Sequence, residues 1–285
     1  MTRTFFLIAL LFLTLTSCKT TLTGKSFFGR PDLKTRLIES PNYKTTTLSY
    51  QTNFIKVADT VNIETWTIST QNPENCFYFF VPNVTTVGQC GDFMERLAIK
   101  TNSKVIGIQY RGYNYSNGTP ELKDCIQDNE IIYAHFKKEG THYKTVNLIG
   151  VSLGTVLAPK LLSNHNNEID NVILMSTFSS LETFIKNYKK NMIPFYARPF
   201  VKIKLDKTLN ELNNVESLKS YQNGLLLVQA KDDKTTSYNF ATELLQKTTM
   251  SRKELMTLED GGHFALFSAK YIDQVIQKIS DFMKK

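Results

Sequence analysis

The sequence predicts an α/β fold with a mostly parallel central sheet flanked by helices. Two observations carry this. Short runs that are apolar at consecutive positions recur along the chain, as strands buried on both faces require. Amphipathic stretches of helical length separate them, as crossovers between parallel strands require. A third feature marks one border: "KTTTLSYQT" and "VNIETWTIST" alternate and are rich in β-branched residues, and so read as an antiparallel pair at a sheet edge.

The apolar runs are Cys76–Val81, Val105–Tyr110, Val146–Gly150, Val172–Ser176, Leu225–Gln229 and Glu254–Leu258. The expected helices are Cys90–Lys100, Asp124–Glu139, Thr155–Asn164, Ser237–Lys247 and Tyr271–Met283. The interval Thr177–Gly224 is too long for one crossover and holds Pro194 and Pro199, so it reads as a helix plus an insertion.

The first residues lie outside this fold. Arg3 precedes the apolar run Phe5–Leu15, "FFLIALLFLTL", which falls short of the ~20 residues a membrane span needs and has the layout of a secretory signal. Leu15-Thr16-Ser17-Cys18 then resembles the lipobox of bacterial lipoproteins. The resemblance implies a signal peptide over 1–17 and a Cys18 carrying acyl chains such as palmitate. Several chains make attachment stable where one does not. An ordinary cleaved signal or an uncleaved anchor is the alternative. The expected location is the cell envelope, lipid-anchored and facing periplasm or exterior. Lys19, in place of the aspartate linked to inner-membrane retention, points to the outer membrane. Residues 18–40 are polar, with Gly24, Gly29 and Pro31 and no sustained period, and are expected to form a membrane tether. Gly24-Lys25-Ser26 is no phosphate loop, because Lys19 stands where that motif needs glycine.

Composition excludes several function classes. The chain has 285 residues and a net charge of +8, with Lys and Arg spread along its length and no nucleic-acid motif. Beyond Cys18 the cysteines are Cys76, Cys90 and Cys125, none with metal-ligand spacing. One disulfide, or three buried thiols, are both open. No metal or organic cofactor is implied.

The chemistry converges at strand exits. Parallel sheets carry their reactive groups at the carboxyl ends of strands. Gly150-Val151-Ser152-Leu153-Gly154 stands where a strand turns into a helix. A serine held on a sharp turn between glycines is presented for attack. Asp232 and Asp233 follow the run Leu225–Gln229. His263 follows Glu254–Leu258, behind Gly261 and Gly262. The other histidines, His135, His142 and His165, lie in or beside expected helices. The order Ser…Asp…His is that of α/β-hydrolase triads.

These residues give the chain its resemblance to the α/β-hydrolases, specifically the serine-aminopeptidase-like and BEM46-like branch. Tyr110-Arg111-Gly112-Tyr113 with Ser116-Asn117-Gly118-Thr119-Pro120 resembles the loop of that branch, and "STFSSLETF" (Ser176–Phe184) a later segment of it. The resemblance implies a hydrolase domain over 41–285 with a cap insertion at about 177–223. It also implies Asp233 as the acid, three residues beyond the small Ala230. Where the family carries His-Gly-x, this chain has Val81-Pro82-Asn83. Proline has no N–H, but the oxyanion donor comes from the third residue. The implied hole is therefore the backbone amides of Leu153 and Asn83.

The expected function is that of a membrane-tethered serine hydrolase. It would cleave a carboxylic ester or related acyl bond, lipid-like acyl substrates included, through Ser152, His263 and Asp233. A peptidase of the same fold ranks below it, because the insertion offers few acids, Glu182 and Asp206 among them, to grip a substrate amine. A non-catalytic binding lipoprotein is the other alternative. Within the insertion, Lys186, Lys189, Lys190, Arg198, Lys202, Lys204 and Lys207 alternate with Tyr188, Phe195, Tyr196 and Phe200. That pattern suits either a membrane interface or an ordinary solvated cap.

Overall fold

The computed structural model describes residues 18–29, 47–209 and 212–285. Its strands are β1 (Cys18–Leu22), β2 (Leu48–Ala58), β3 (Val61–Thr70), β4 (Asn75–Phe80), β5 (Ser103–Ile108), β6 (Thr145–Val151), β7 (Asn171–Met175), β8 (Val201–Leu205), β9 (Gly224–Ala230) and β10 (Lys253–Leu258). Its α-helices are α1 (Gly91–Thr101), α2 (Leu122–Lys137), α3 (Gly154–His165), α4 (Leu181–Met192), α5 (Asn214–Ser217), α6 (Tyr238–Lys247) and α7 (Ile272–Met283).

Eight strands form one sheet in the order β10-β9-β7-β6-β4-β5-β3-β2. β2 pairs antiparallel with β3, and β3 with β5. The remaining pairings in this sheet are parallel. The six apolar runs are β4, β5, β6, β7, β9 and β10, and the alternating pair is the β2–β3 edge. Burial follows position: β7 and β9 are buried at every residue, whereas β10, on the opposite border, is half-buried over most of its length. Each Leu or Ile taken out of water at the centre, such as Leu148, Ile149, Leu174 and Leu226, contributes about 1.5–3 kcal/mol. Because β6, β9 and β10 run parallel, their carboxyl ends share one edge of the sheet, and Ser152, Asp233 and His263 follow those ends.

The insertion leaves the sheet after β7. Ser180 caps α4 by accepting the Thr183 amide at 3.1 Å. A 3-10 turn, Arg198–Phe200, then feeds β8. β8 pairs in parallel with β1, Cys18 opposite Val201 and Leu22 opposite Leu205. Residues 18–29 are therefore docked rather than a loose tether. After β1 comes a 3-10 turn over Gly24–Phe27, and the Phe28 ring packs on Tyr110 and Tyr113, with centroids 5.5 and 6.2 Å apart. The glycines and missing period hid the apolar residues Leu22, Phe27 and Phe28, which find cover in the folded chain. The expected signal peptide, and the tether beyond Gly29, lie outside the described residues. Cys76, Cys90 and Cys125 are free and buried, and burial pushes the Cys76 and Cys125 thiols up to about 12.

Candidate active site

Ser152 sits on the turn from β6 into α3 with φ +51°, a left-handed conformation rare outside glycine. Strain of this kind costs about 1–3 kcal/mol and persists only where the surroundings enforce it. Here they do. A Cβ on Gly150 would stand 2.4 Å from the Gly154 carbonyl oxygen, and one on Gly154 would stand 2.2 Å from the Phe80 carbonyl oxygen. The turn is thus pressed against itself and against β4. The Ser152 amide donates to the Met175 carbonyl at 3.0 Å, which fixes the turn to the end of β7.

His263 Nε2 lies 2.8 Å from Ser152 Oγ, and its Nδ1 lies 2.9 Å from Asp233 Oδ2. The imidazole hangs from a turn in which Gly261 and Gly262 have φ of +99° and +67°. The Asp232 carboxylate accepts both of their amides, at 3.2 and 2.8 Å. The two adjacent aspartates therefore do different work: Asp233 faces the ring, and Asp232 shapes the loop that carries it.

Asp233 is buried and meets a ring of donors. Its Oδ1 accepts the Thr235 and Thr236 amides at 2.8 and 2.9 Å. Its Oδ2 accepts the Thr236 hydroxyl at 2.7 Å and the Gln229 amide group at 3.0 Å. Burial alone would raise the carboxyl pKa; the bonds from His263 and Thr236 outweigh it and hold the group below the usual aspartate range. Ser176, also strained at φ +52°, donates its hydroxyl to the His263 carbonyl at 2.7 Å. Sequence reasoning does not single out Gln229 or Thr236. A glutamine closing the apolar run "LLLVQ" is the available signal, since a fully buried amide must have partners.

The expected oxyanion donors are placed as follows. Leu153 stands at the N-cap of α3, where unpaired amides and the helix dipole favour negative charge. Among the described residues, no protein acceptor takes the amide of Leu153 or Asn83. The Asn83 side chain is the hub of its loop. Its Nδ2 donates to the Phe27 carbonyl at 2.6 Å, and its Oδ1 accepts from the Gly29 amide at 3.3 Å, the Val84 amide at 2.9 Å and the Tyr113 hydroxyl at 3.0 Å. Val84, β-branched yet at φ +58°, follows directly. A Cβ on Gly29 would stand 2.5 Å from Val84 Cγ2, so only glycine lets the N-terminal arm lie this close.

The Tyr110–Tyr113 loop supports the same turn. Tyr110 donates its hydroxyl to the Val81 carbonyl, and Tyr113 donates to Asn83. Arg111 forks onto Asp128, at 2.5 and 2.6 Å, and reaches Asp124 at 3.1 Å, which ties the loop to α2. His165 lies apart from this site, bonded to Glu130 at 2.7 Å.

Comparison with known proteins bears on the fold. A family model described as the alpha/beta hydrolase fold matches residues 94–205. An uncharacterized membrane protein of Saccharomyces cerevisiae is 24% identical over 220 residues, covering 76% of this chain and 74% of that one. Protein bem46 of Schizosaccharomyces pombe is 24% identical over 149 residues, covering 51% and 50%. The esterase Pf2001 of Pyrococcus furiosus superposes with a TM-score of 0.64 over 83% of this chain and 91% of its own, at 19% identity. The chain has the α/β-hydrolase fold, a mostly parallel central sheet flanked by helices.

Proposed function

We propose that this α/β-hydrolase-fold protein is a membrane-tethered serine hydrolase that cleaves a carboxylic ester or a related acyl bond. The observation that carries the reading is the continuous relay Ser152 Oγ–His263 Nε2, His263 Nδ1–Asp233 Oδ2, at 2.8 and 2.9 Å, on a strained turn. His263 takes the Ser152 proton as Oγ attacks the acyl carbon. The amides of Leu153 and Asn83 hold the negative oxygen. Asp233 fixes the imidazole tautomer and stabilises its charged form. His263 returns the proton to the leaving alcohol, and water releases the acyl group by the same steps in reverse. A panel of chromogenic esters of rising acyl length tests the reading. Turnover that depends on chain length supports it, and no turnover of any member contradicts it. Glu182, one of the few acids of the insertion, is exposed and paired with Lys186 at 2.6 Å, which does not favour a peptidase's grip on an amine.

The N-terminal arm belongs to this reading, because it holds Asn83. Gly29→Ala pushes the arm off Val84, and Asn83→Ala removes the hub while leaving the backbone amide. Each is expected to lower kcat by about 10²–10³, the cost of losing one oxyanion donor, with KM little changed. The double variant should lose little more than either single one, since both act through one loop. Unchanged kcat in both single variants would show that the arm only packs.

Attachment through Cys18 rests on the Leu15–Cys18 tetrapeptide. The native protein is expected to partition into detergent, and Cys18→Ser to block processing of the signal. Normal processing of that variant, seen as an unchanged mass by immunoblot, would reject lipidation.

A further inference from the structure

The chain enters the described fold at Cys18, and Cys18 is already the first residue of β1. Its partner across the ladder is Val201, the first residue of β8 in the insertion. No spacer therefore separates the attachment point proposed above from the insertion. This holds whether the attachment is acyl chains on Cys18 or the apolar run Phe5–Leu15 itself, which ends just before β1.

The same part of the cap is unusual in what it exposes. Among the described residues, Phe195 and Tyr196 are the most exposed large apolar side chains, at 76% and 68%, and Phe200 adds 41%. The first two rings stand edge to face, 5.6 Å apart. The turn that presents them is held in place: the Arg198 guanidinium donates to the Ile193 carbonyl at 2.8 Å and to the Lys190 carbonyl at 2.5 Å. Lys190, Lys202 and Lys204 are exposed beside it, and Val201, Ile203 and Leu205 alternate with the last two, half-covered. Exposed rings with lysines around them match the boundary between lipid headgroups and acyl chains. The positive charges complement anionic phosphates.

We propose that the turn Pro194–Phe200 together with β8 is a membrane-docking surface for an anionic bilayer. Phe195, Tyr196 and Phe200 enter the headgroup region, and Lys190, Lys202 and Lys204 meet lipid phosphates. β1 then lies along the membrane surface rather than standing off it. The arm that follows reaches Asn83 at Gly29, eleven residues beyond Cys18 and within about 40 Å even if fully extended. The candidate active site accordingly works close to the bilayer, within reach of acyl groups that reside there. The proposal rests on the membrane attachment proposed above and not on the chemistry of Ser152.

The test uses the full chain in a Trp66→Phe background, since Trp66 is the one tryptophan. Phe195→Trp, and Phe54→Trp on the outermost strand β2, are reconstituted in phosphatidylethanolamine–phosphatidylglycerol vesicles carrying brominated acyl chains. Emission of the Phe195→Trp chain is expected to shift to the blue and be quenched, and that of the Phe54→Trp chain to stay unquenched. Flotation of the same samples reports attachment separately. Protein that floats with the indole at position 195 unquenched overturns the docking surface while attachment stands. If the protein does not float, attachment fails. The docking surface is then decided with the same non-floating protein at low salt, where Lys190→Gln/Lys202→Gln/Lys204→Gln is expected to weaken vesicle binding by about a hundredfold. Binding that is absent, or unaffected by the triple change, overturns the proposal. So does a blue shift of the Phe195→Trp chain that grows with protein concentration without vesicles, which would make the surface a contact between two copies.

Discussion

Ser152→Ala is expected to lower kcat for a small ester by about 10⁶, to near the rate without a nucleophile. The side chain provides both the attacking oxygen and the hydroxyl that donates to His263, so no neighbour substitutes for it. Thr155 is the nearest hydroxyl along the chain, and its Oγ donates to the Ser152 carbonyl instead. Alanine bears the same Cβ at φ +51°, so the strain of the turn is unchanged. Thermal unfolding should shift by no more than a few degrees, which separates lost chemistry from lost fold. Residual activity within about tenfold of wild type would remove Ser152 from the mechanism.

Asp233→Asn is expected to cost about 10⁴ in kcat, because the imidazole loses the acceptor that fixes its tautomer. It should also destabilise. Donors converge on both carboxylate oxygens from Thr235, Thr236, Gln229 and His263, and an amide nitrogen placed among them leaves buried donors unpaired. Each such donor costs about 1–3 kcal/mol. The native carboxyl ionises below its ordinary value, so it contributes stability above the unfolded value of about 3.9, and that contribution is lost as pH falls through the lower folded value. The stability gap between wild type and variant should therefore be full at neutral pH and narrow on acidification below about pH 4. Asp232→Asn keeps one acceptor for the Gly261–Gly262 amides and should stay within about tenfold of wild type. Denaturant melts across pH, with steady-state kinetics, check all three statements. The reverse ranking of the two aspartates would move the acid to Asp232.

The central sheet is legible because its strands are buried on both faces. A strand-length run such as Cys76–Val81, apolar at every position and bounded by Asn75 and Pro82, suits a strand with no solvent face. The glycines around Ser152 mark a turn that a Cβ would block. The edge pair is legible from its alternation and β-branched residues and not from one-sided burial, since β3 is buried on both faces over most of its length. Three things are not legible. β2 runs past the stretch that alternates, to Ala58, with a register shift between Lys56 and Ala58 that interrupts the pattern. β1 and β8 are short, and each is a strand only because the other is there, so neither carries a signal alone. The support around the site is spread over distant residues: Gly29, Asn83 and Tyr113 meet across long stretches of chain, and a contact of that kind leaves no local pattern. The sequence points to Asn83 as an amide donor only. Its side chain proves to be what joins the N-terminal arm to the loop.

The most direct measurement is the site of covalent labelling. The wild-type protein is treated with a fluorophosphonate and digested with trypsin, and its peptides are mapped by mass spectrometry. The peptide Thr145–Lys160, "TVNLIGVSLGTVLAPK", contains a single serine, Ser152. A relay centred on Ser152 predicts one phosphonyl adduct per chain, on that serine, formed by native protein and not by protein unfolded before treatment. A native protein that takes no adduct, or takes it on another residue, contradicts the serine mechanism proposed for this site.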